Sequence, residues 1–409
     1  MIDIEAVRSS FPALTRTVGD APAVFFDGPA GSQVPNRVID AVAGSLRGGC
    51  SNTHGRFVVS VELDAMLAAA RRAAADFLGT EDDSSIVFGA NMTSLAYQLG
   101  RSLSRTWSAG DCIVVTRLDH DANITPWVQA ARDADVEVIH IDFRPDTTLD
   151  LDQFRAAMGK KPRFVAVGAA SNATGTINPV EEMCAMAVDA GAEVFVDAVH
   201  YAPHRRIDVA RWGCHYLACS AYKFFGPHVG ILWGVPDRMR ELPAYQVRPA
   251  GDSMPDRWNT GTGNHEGIAG TVAAIDYIAD LGRTSGEPAD RRAALDRAYR
   301  RIEAHESVLL RKLLVGLAEL EAITVWGIGD VARLSERAPT VAITHNRIDA
   351  AALAQRLGEQ GIFVWDGNYY AVEVTERLGL EPHGMVRIGL LHYNSEPEVQ
   401  RLLDALDTI

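Results

Sequence analysis

A chain of 409 residues, 47% hydrophobic and 22% charged, has ordinary globular composition and enough apolar material for one large core plus a smaller one, so two domains are expected. Its formal charge of −14 and pI near 5.3 oppose a phosphate-backbone partner, and with no basic stripe to offset them nucleic acid is not expected to bind. The opening MIDIEAVRSSFPAL lacks the basic head and apolar run of a secretory signal, and no apolar run approaches the roughly 18 residues of a membrane span, so no membrane partner is expected and the expected location is cytoplasmic.

Taken in chain order, a short helix-like opening is followed by residues 22–29 (PAVFFDGP), read as a strand running into a Gly28-Pro29 turn. Val61, Met66, Ala69, Ala73 and Phe77 recur at helical spacing and predict a helix over 61–78. Short apolar runs at 86–88, 112–116, 136–141, 164–167, 193–197 and 216–219 then alternate with helix-length segments, with a further helix at 93–101. That alternation predicts an α/β fold with a mostly parallel sheet covered on both faces. Residues 230–235 read as one more strand after a tight connection, and a helical stretch over 265–320 leads to a C-terminal α+β unit made of ITVWGI, TVAITH, a helix at 349–358, GIFVW, MVRIGLLHY and a final helix from Glu396. The five cysteines (Cys50, Cys112, Cys184, Cys214, Cys219) form no CxxC pair and read as reduced core thiols rather than a zinc site or a disulfide framework.

Only four lysines occur (Lys160, Lys161, Lys223, Lys312) among 39 lysines and arginines, so a plain positive charge in this chain is almost always Arg. Lys223 lies just past an apolar strand among Tyr222, Phe224 and Phe225. Partial desolvation there lowers the amine pKa and makes it nucleophilic toward a carbonyl, which arginine cannot be. The ordinary alternative is a lysine snorkelling over an apolar surface. Asp197 ends the strand EVFVD, in the position from which α/β sheets address ligands. A carboxylate there can keep a pyridinium nitrogen protonated so that the ring acts as an electron sink, or simply cap a turn.

Other strand ends offer further candidates: His120 to stack on a ring, Asn172 as an amide donor, and His200 to bond a phenolate oxygen or cap its strand. Met92 and Thr93 at a helix start, with Ser220, supply N–H and hydroxyl donors of the kind that hold phosphate. His200 and His204 are four apart, but Pro203 between them argues against one helix face presenting both to a metal, and no metal is expected. Gly261-Thr262-Gly263 followed by Gly267 misses the dinucleotide-binding spacing.

The ordered set Asp119-His120…Asn123, Ser171-Asn172…Gly175-Thr176, Val196-Asp197-Ala198, Ser220-Ala221-Tyr222-Lys223…Gly226-Pro227, Gly261-Thr262 and Arg387…Tyr393-Asn394 resembles the class V aminotransferases, in particular their cysteine desulfurase and selenocysteine lyase branch, over essentially the whole chain. The resemblance implies the pyridoxal 5′-phosphate-dependent fold type I, with a large domain built on a seven-stranded sheet over 21–275, a small α+β domain over 276–409, and an N-terminal helix within 1–20 packing on the small domain. It implies a homodimer with active sites at the subunit interface. It also implies that pyridoxal phosphate is joined as a Schiff base to Lys223, with His120 stacked on its ring, Asp197 at its nitrogen, and Asn172 and His200 near its phenolic oxygen. Ser220, Thr93 and Thr262, the last from the partner subunit, would be phosphate ligands, with Met92 and Tyr222 beside the cofactor. Arg387 would clamp the substrate α-carboxylate with a bidentate geometry that lysine cannot reproduce.

Two positions depart from the family pattern: His200 stands where relatives usually have Gln, and Tyr222 where many have His. A larger departure is the loop over 361–371, where desulfurases carry a nucleophilic cysteine and this sequence has none; no Cys follows Cys219. Tyr370 takes that place, as an acid or as a pocket wall, and Trp365 and Tyr369 make the pocket aromatic, suited to a substrate bulkier than cysteine. The first reading is therefore a carbon–sulfur lyase acting on an S-substituted cysteine without a protein persulfide, with Lys223 as the base. The alternatives are a decarboxylase or decarboxylative aldolase, an aminotransferase, and, from another class, a non-catalytic scaffold of the same fold.

Overall fold

Seven of the apolar runs pair into one sheet: β1 (Val87–Gly89), β2 (Cys112–Thr116), β3 (Glu137–Ile141), β4 (Phe164–Gly168), β5 (Glu193–Asp197), β6 (Tyr216–Ser220) and β7 (Gly230–Gly234), in the order β1-β7-β6-β5-β4-β2-β3. This computed structural model describes residues 2–283 and 290–409. β2 through β6 form parallel ladders, while β7 runs antiparallel to both β6 and β1. Every residue of β2, β4, β6 and β7 is buried, as expected of near-continuous apolar strands covered on both faces. Alternate residues serve the two cores: Val114, Val165, Val194 and Leu217 pack with the helices Val58–Leu78 and Val180–Asp189, and Ile113, Phe164, Phe195 and Tyr216 with Met92–Ser104 and Thr125–Asp133.

A second, antiparallel sheet follows from β8 (Ile323–Trp326), β9 (Thr340–His345), β10 (Trp365–Gly367) and β11 (Met385–Gly389), in the order β8-β9-β11-β10. It packs on the helices Arg291–Ala318, Ala350–Glu359 and Glu396–Thr408 through Leu309, Leu313, Leu353, Leu357, Val399 and Leu402. The short N-terminal helix Ile4–Ser9 is tied down by Arg8, whose Nη1 donates to the Tyr393 carbonyl and to Glu398 Oε1, both at 2.8 Å. Phe11 then inserts among Phe225, Tyr277 and Tyr393.

Several predicted elements are subdivided. Among the described residues the stretch 265–320 holds two helices, His265–Gly282 and Arg291–Ala318, with residues 284–289 lying outside the described residues. GIFVW splits between two sheets, Ile362–Phe363 running parallel with Val24–Phe25 and Trp365 opening β10. The predicted 22–29 strand shortens to Val24–Phe25 for the same reason: Phe26 C=O turns to accept from Gly389 N–H, and Pro29 crosses so close to Gly389 that any Cβ there would collide with its ring. That crossing also ends β11 at Gly389, short of the predicted nine-residue strand. Cys50 corrects the expectation of an all-core set of thiols, because it is exposed while the other four are buried.

The loop after β4 joins the two sheets. Gly175 carries φ +82°, its N–H donates to Ser171 C=O at 2.9 Å, and its C=O accepts from Ala338 N–H at 2.7 Å, beside the start of β9. A Cβ at Gly175 would lie 2.5 Å from the Thr340 carbonyl oxygen, and backbone cannot move aside cheaply. Gly175→Ala is therefore expected to lower unfolding free energy by about 2–3 kcal/mol through strain and contact combined, read from urea unfolding followed by circular dichroism; a loss within about 0.5 kcal/mol, the range of ordinary surface substitutions, would contradict this account.

Candidate functional site

The C-terminal ends of β1, β2, β4, β5 and β6 share one edge of the large sheet, and β2 and β4 flank the point where the strand order reverses. Open α/β sheets bind ligands at such switch points. Here the edge opens into a cavity of about 760 Å³ with an inner recess; Thr93, His120, Asn172, Tyr222 and Lys223 line both, Asp197, His200, Ser220 and Met92 line the recess, and Trp365, Tyr369, Tyr370 and Arg387 line the outer part. The C-terminal sheet supplies Trp365 and Arg387, and the loop after β10 supplies Tyr369 and Tyr370, so the cavity exists only where the two sheets meet.

Lys223 ends a 3-10 turn just beyond β6 and is buried. Burial first, then the nearby Arg387 guanidinium, pull its amine down to about 7, against the opposing influence of Asp197 and Asp27. Its Nζ donates to the Pro29 carbonyl and lies 4.8 Å from the centre of the Tyr222 ring. Asp197, the last residue of β5, accepts from Val199 N–H at 2.8 Å, and burial raises its carboxyl to about 6 against that bond and Lys223. Asp119 is buried nearby; desolvation and then the Asp197 charge push it up to about 8, although Asn123 Nδ2 and Gly168 N–H donate to it at 2.7 and 3.1 Å. Two buried carboxyls at one strand edge do not both ionise easily.

His120 stays neutral at pH 7. Burial, Lys223 and Arg387 lower it to about 4, and its Nδ1 accepts from Ala122 N–H at 3.0 Å, which leaves the ring proton on Nε2. Asn172 donates through Nδ2 to the Tyr369 carbonyl at 3.0 Å, while its buried Oδ1 has no partner among the described residues. Arg387, in β11, donates from Nη1 to the Asn172 carbonyl at 2.8 Å and lies 4.2 Å from the Tyr369 ring centre, with its Nε unpartnered among the described residues. Burial lowers Arg387 to about 10, so it is still a cation at neutral pH. Trp365 lies directly opposite Arg387 in the antiparallel ladder, which places both side chains on one face.

Ser220 Oγ accepts the Met92 N–H at 2.9 Å, so that donor of the helix start is already engaged, and the helix is capped by Asn91 accepting from Ser94 N–H at 2.8 Å. Gly230 lets β7 pass this terminus; a Cβ there would lie 2.5 Å from the Asn91 carbonyl carbon. Tyr222 stacks on His228 (5.0 Å, 12°) at the cavity wall. His200 is buried, with Nε2 3.0 Å from Thr340 Oγ1. Tyr369 and Tyr370 both have left-handed backbone (φ +57° and +58°), uncommon for bulky residues. The Tyr369 hydroxyl donates to the Met385 carbonyl; the Tyr370 ring, 73% exposed, lies near-parallel to His120 at 5.7 Å, and its carbonyl accepts from Asp121 N–H at 2.6 Å.

Thr262 alone of the candidates lies apart, on an exposed loop outside this chain's cavity. Sequence reasoning missed Asp27, Asp119 and the Pro29 carbonyl. Asp27 is raised to about 6 by burial, opposed by its own backbone hydrogen bond, Arg387 and Lys223, and its buried Oδ1 has no partner among the described residues; its only signal was a position before Gly28-Pro29, which reads as a turn. Among the described residues no group of three or more His, Cys, Asp or Glu is placed to hold a metal ion, and no helix is long and apolar enough to cross a membrane.

Comparison with known proteins matches the family model "Aminotransferase class-V" to residues 24–402. A cysteine desulfurase of Yersinia pestis (strain Pestoides F) is 30% identical over an alignment covering 99% of this chain and 98% of its own length. The apo structure of a cysteine desulfurase from Thermococcus onnurineus NA1 is similar over 100% of this chain and 98% of its own, at 27% identity and a TM-score of 0.89. A cysteine desulfurase from Escherichia coli, at 24% identity and a TM-score of 0.84 with the same coverage, shares the fold.

The electrostatics of the site are measurable without any ligand. Acetylation of Lys223 by a small anhydride, followed by peptide mass spectrometry across pH, is expected to show a midpoint near 7, because only the neutral amine reacts. Arg387→Gln removes a repelling cation and moves the midpoint up, whereas Asp197→Asn removes a stabilising anion and moves it down. A midpoint near the ordinary lysine value of about 10.4 would show that the amine is solvated.

Proposed function

The chain belongs to the class-V aminotransferase family, and from that premise we propose that this pyridoxal phosphate-dependent enzyme of the cysteine desulfurase-like kind is a carbon–sulfur lyase for S-substituted cysteines that works without a protein persulfide. The observation that carries the reading is the loop over 361–371: it lines the cavity with Trp365, Tyr369 and Tyr370, and contains no cysteine. Cys184, Cys214 and Cys219 are buried thiols pushed upward by desolvation, Cys184 to about 12, and exposed Cys50 does not line the cavity. A buried protonated thiol is a poor nucleophile.

The residues present fit pyridoxal phosphate. Lys223 offers an amine that is half neutral near pH 7, Asp197 a carboxylate for a ring nitrogen, and His120 a neutral ring to stack. Asn172 Oδ1 and Arg387 Nε are buried polar atoms with no partner among the described residues, as expected where a ligand completes the hydrogen bonding. Thr93 and Ser220, at the start of a thirteen-residue helix with Met92, suit a phosphate, and His200 and Tyr222 complete the recess. Thr262 would add its hydroxyl from the partner subunit of a homodimer, which accounts for its position outside this chain's own cavity.

When bound, pyridoxal phosphate supplies an aldehyde for the substrate amine and an electron-withdrawing ring that stabilises negative charge at the α-carbon. Arg387 would hold the substrate carboxylate with two parallel N–H···O bonds. The Lys223 amine would take the α-proton, and the Tyr370 phenol would give a proton to the departing sulfur. Trp365, on the Arg387 face of the sheet, and Tyr369, under the guanidinium, would enclose the organic group on sulfur. With one water consumed, an S-substituted cysteine yields a thiol, pyruvate and ammonia, and the sulfur leaves with its own carbon substituent.

Incubation of the holoenzyme with S-benzyl- and S-methylcysteine is expected to release thiol and pyruvate in equal amounts; CO₂, or a keto acid that retains sulfur, would overturn the elimination. Trp365→Ala is expected to raise KM for the benzyl substrate about fivefold, the equivalent of about 1 kcal/mol of aromatic contact, and to leave the methyl substrate nearly unchanged. Equal effects on both would remove Trp365 from the pocket.

A further inference from the structure

Behind the recess lies a buried histidine–glutamate pair that the proposed reaction leaves unused. His204 Nδ1 is 3.0 Å from Glu306 Oε2, with side chains 2% and 3% exposed. Glu306 occupies the buried face of the helix Arg291–Ala318 in line with Ile302, Leu309 and Leu310, and its Oε1 has no partner among the described residues. A carboxylate in such a place costs several kcal/mol unless a donor or cation answers it. An apolar side chain would fill the position at least as well, so packing alone does not explain the pair.

The His204 ring packs edge-to-face against His200, centroids 5.4 Å apart at 72°, and His200 lines the recess with Asp197 and Lys223. Nε2 of His200 is engaged by Thr340 Oγ1, which leaves Nδ1 to the recess. Arg205 and His305 also bear on Glu306; Arg205 pairs outward with Glu303, and Nε2 of His305 is 2.9 Å from the Asn394 carbonyl. The neutral phenols of Tyr201 and Tyr299 and the buried His392, bonded to Tyr277, complete the surroundings. The charges of Arg387 and Lys223 also act on His200.

We propose that His204 and Glu306 are positioning residues for His200: the carboxylate fixes a proton on His204 Nδ1, and the His204 ring holds His200 neutral, its Nε2 accepting from the Thr340 hydroxyl and its Nδ1–H directed into the recess. Burial, and after it the charges at His204, Arg387 and Lys223, keep His200 well below the ordinary imidazole range. The consequence is a neutral donor at the recess instead of a third cation beside Lys223 and Arg387. This inference rests on the reading that His200 serves the phenolic oxygen of the cofactor.

Long-range ¹H–¹⁵N spectra of the histidine rings in the full-length, cofactor-free protein test it directly. Wild-type His200 is expected as a single Nδ1–H tautomer between about pH 6 and 8, where an ordinary imidazole titrates; a protonated or Nε2–H ring overturns the proposal. Glu306→Gln is expected to give His200 mixed tautomers or a protonation step in that range, and Glu306→Asp to restore most of the wild-type signal. His204→Gln, which keeps a donor to the carboxylate, serves the same purpose if Glu306→Gln does not fold. A His200 signal identical in wild type and the folded variants overturns the inference. Addition of pyridoxal phosphate separates it from the underlying reading: the pH midpoint of the visible absorption band in Glu306→Gln should move by about one unit, tenfold in proton affinity. A tautomer change with no spectral shift supports the positioning pair and overturns the placement of His200 at the cofactor.

Discussion

Two cations buried in one cavity govern the rest of the site. Arg387 is deprived of water and still charged at neutral pH, and its field adds to desolvation in drawing Lys223 down to about 7. Among the described residues neither forms a side-chain salt bridge within the recess; each donates instead to a backbone carbonyl, Lys223 to Pro29 and Arg387 to Asn172. A tight ion pair would stabilise the charged amine and raise its pKa, removing the nucleophile. The carbonyl partners satisfy one donor each while leaving the amine free to lose its proton, and Asp27 and Asp197 balance the cations from the edges.

That arrangement requires the two sheets to meet accurately, because Lys223 comes from the large sheet and Arg387 from the small one. The loop 171–176 makes the junction. Asn172 presents its carbonyl to Arg387 and its amide to Tyr369, and Gly175 hydrogen bonds to Ala338 at the approach to β9. Phe26 and Pro29 crossing Gly389 hold the same junction from the other side. Polar groups otherwise unsatisfied on each sheet are answered by the other, so the cavity is a property of the interface between them.

Much of this was legible in the sequence because strands of a parallel sheet announce themselves as short apolar runs, and the residue just after each run must lie on the ligand-bearing edge. Lys223, Asp197, His120 and Asn172 were found that way, and the scarcity of lysine made Lys223 stand out. Asp27 was not, because it follows no strand of the large sheet and its neighbours Gly28-Pro29 signal only a turn. Its burial arises from a crossing with Gly389, more than 350 residues away in the chain, which no local pattern encodes. GIFVW failed for a related reason: a continuous apolar run does not reveal that its two ends pair with different partners. The left-handed backbone of Tyr369 and Tyr370 was equally hidden, since neither residue type favours it.

The acidic chain and its cation-centred cavity are compatible because fields act at different ranges. The net charge of −14 belongs largely to a solvated surface, where salt screens it within about 10 Å. Lys223 and Arg387 lie below that surface in a medium of lower dielectric, where a fixed charge reaches its neighbours with little screening. An anion approaching the protein at random therefore meets repulsion, whereas one that enters the cavity meets the Arg387 guanidinium, the Lys223 amine and the start of a helix. A ligand bearing both a phosphate and a carboxylate partner is suited to such a place, and a polyanion too large to enter is not, so size and charge select together at the cavity that Trp365 and Tyr370 line.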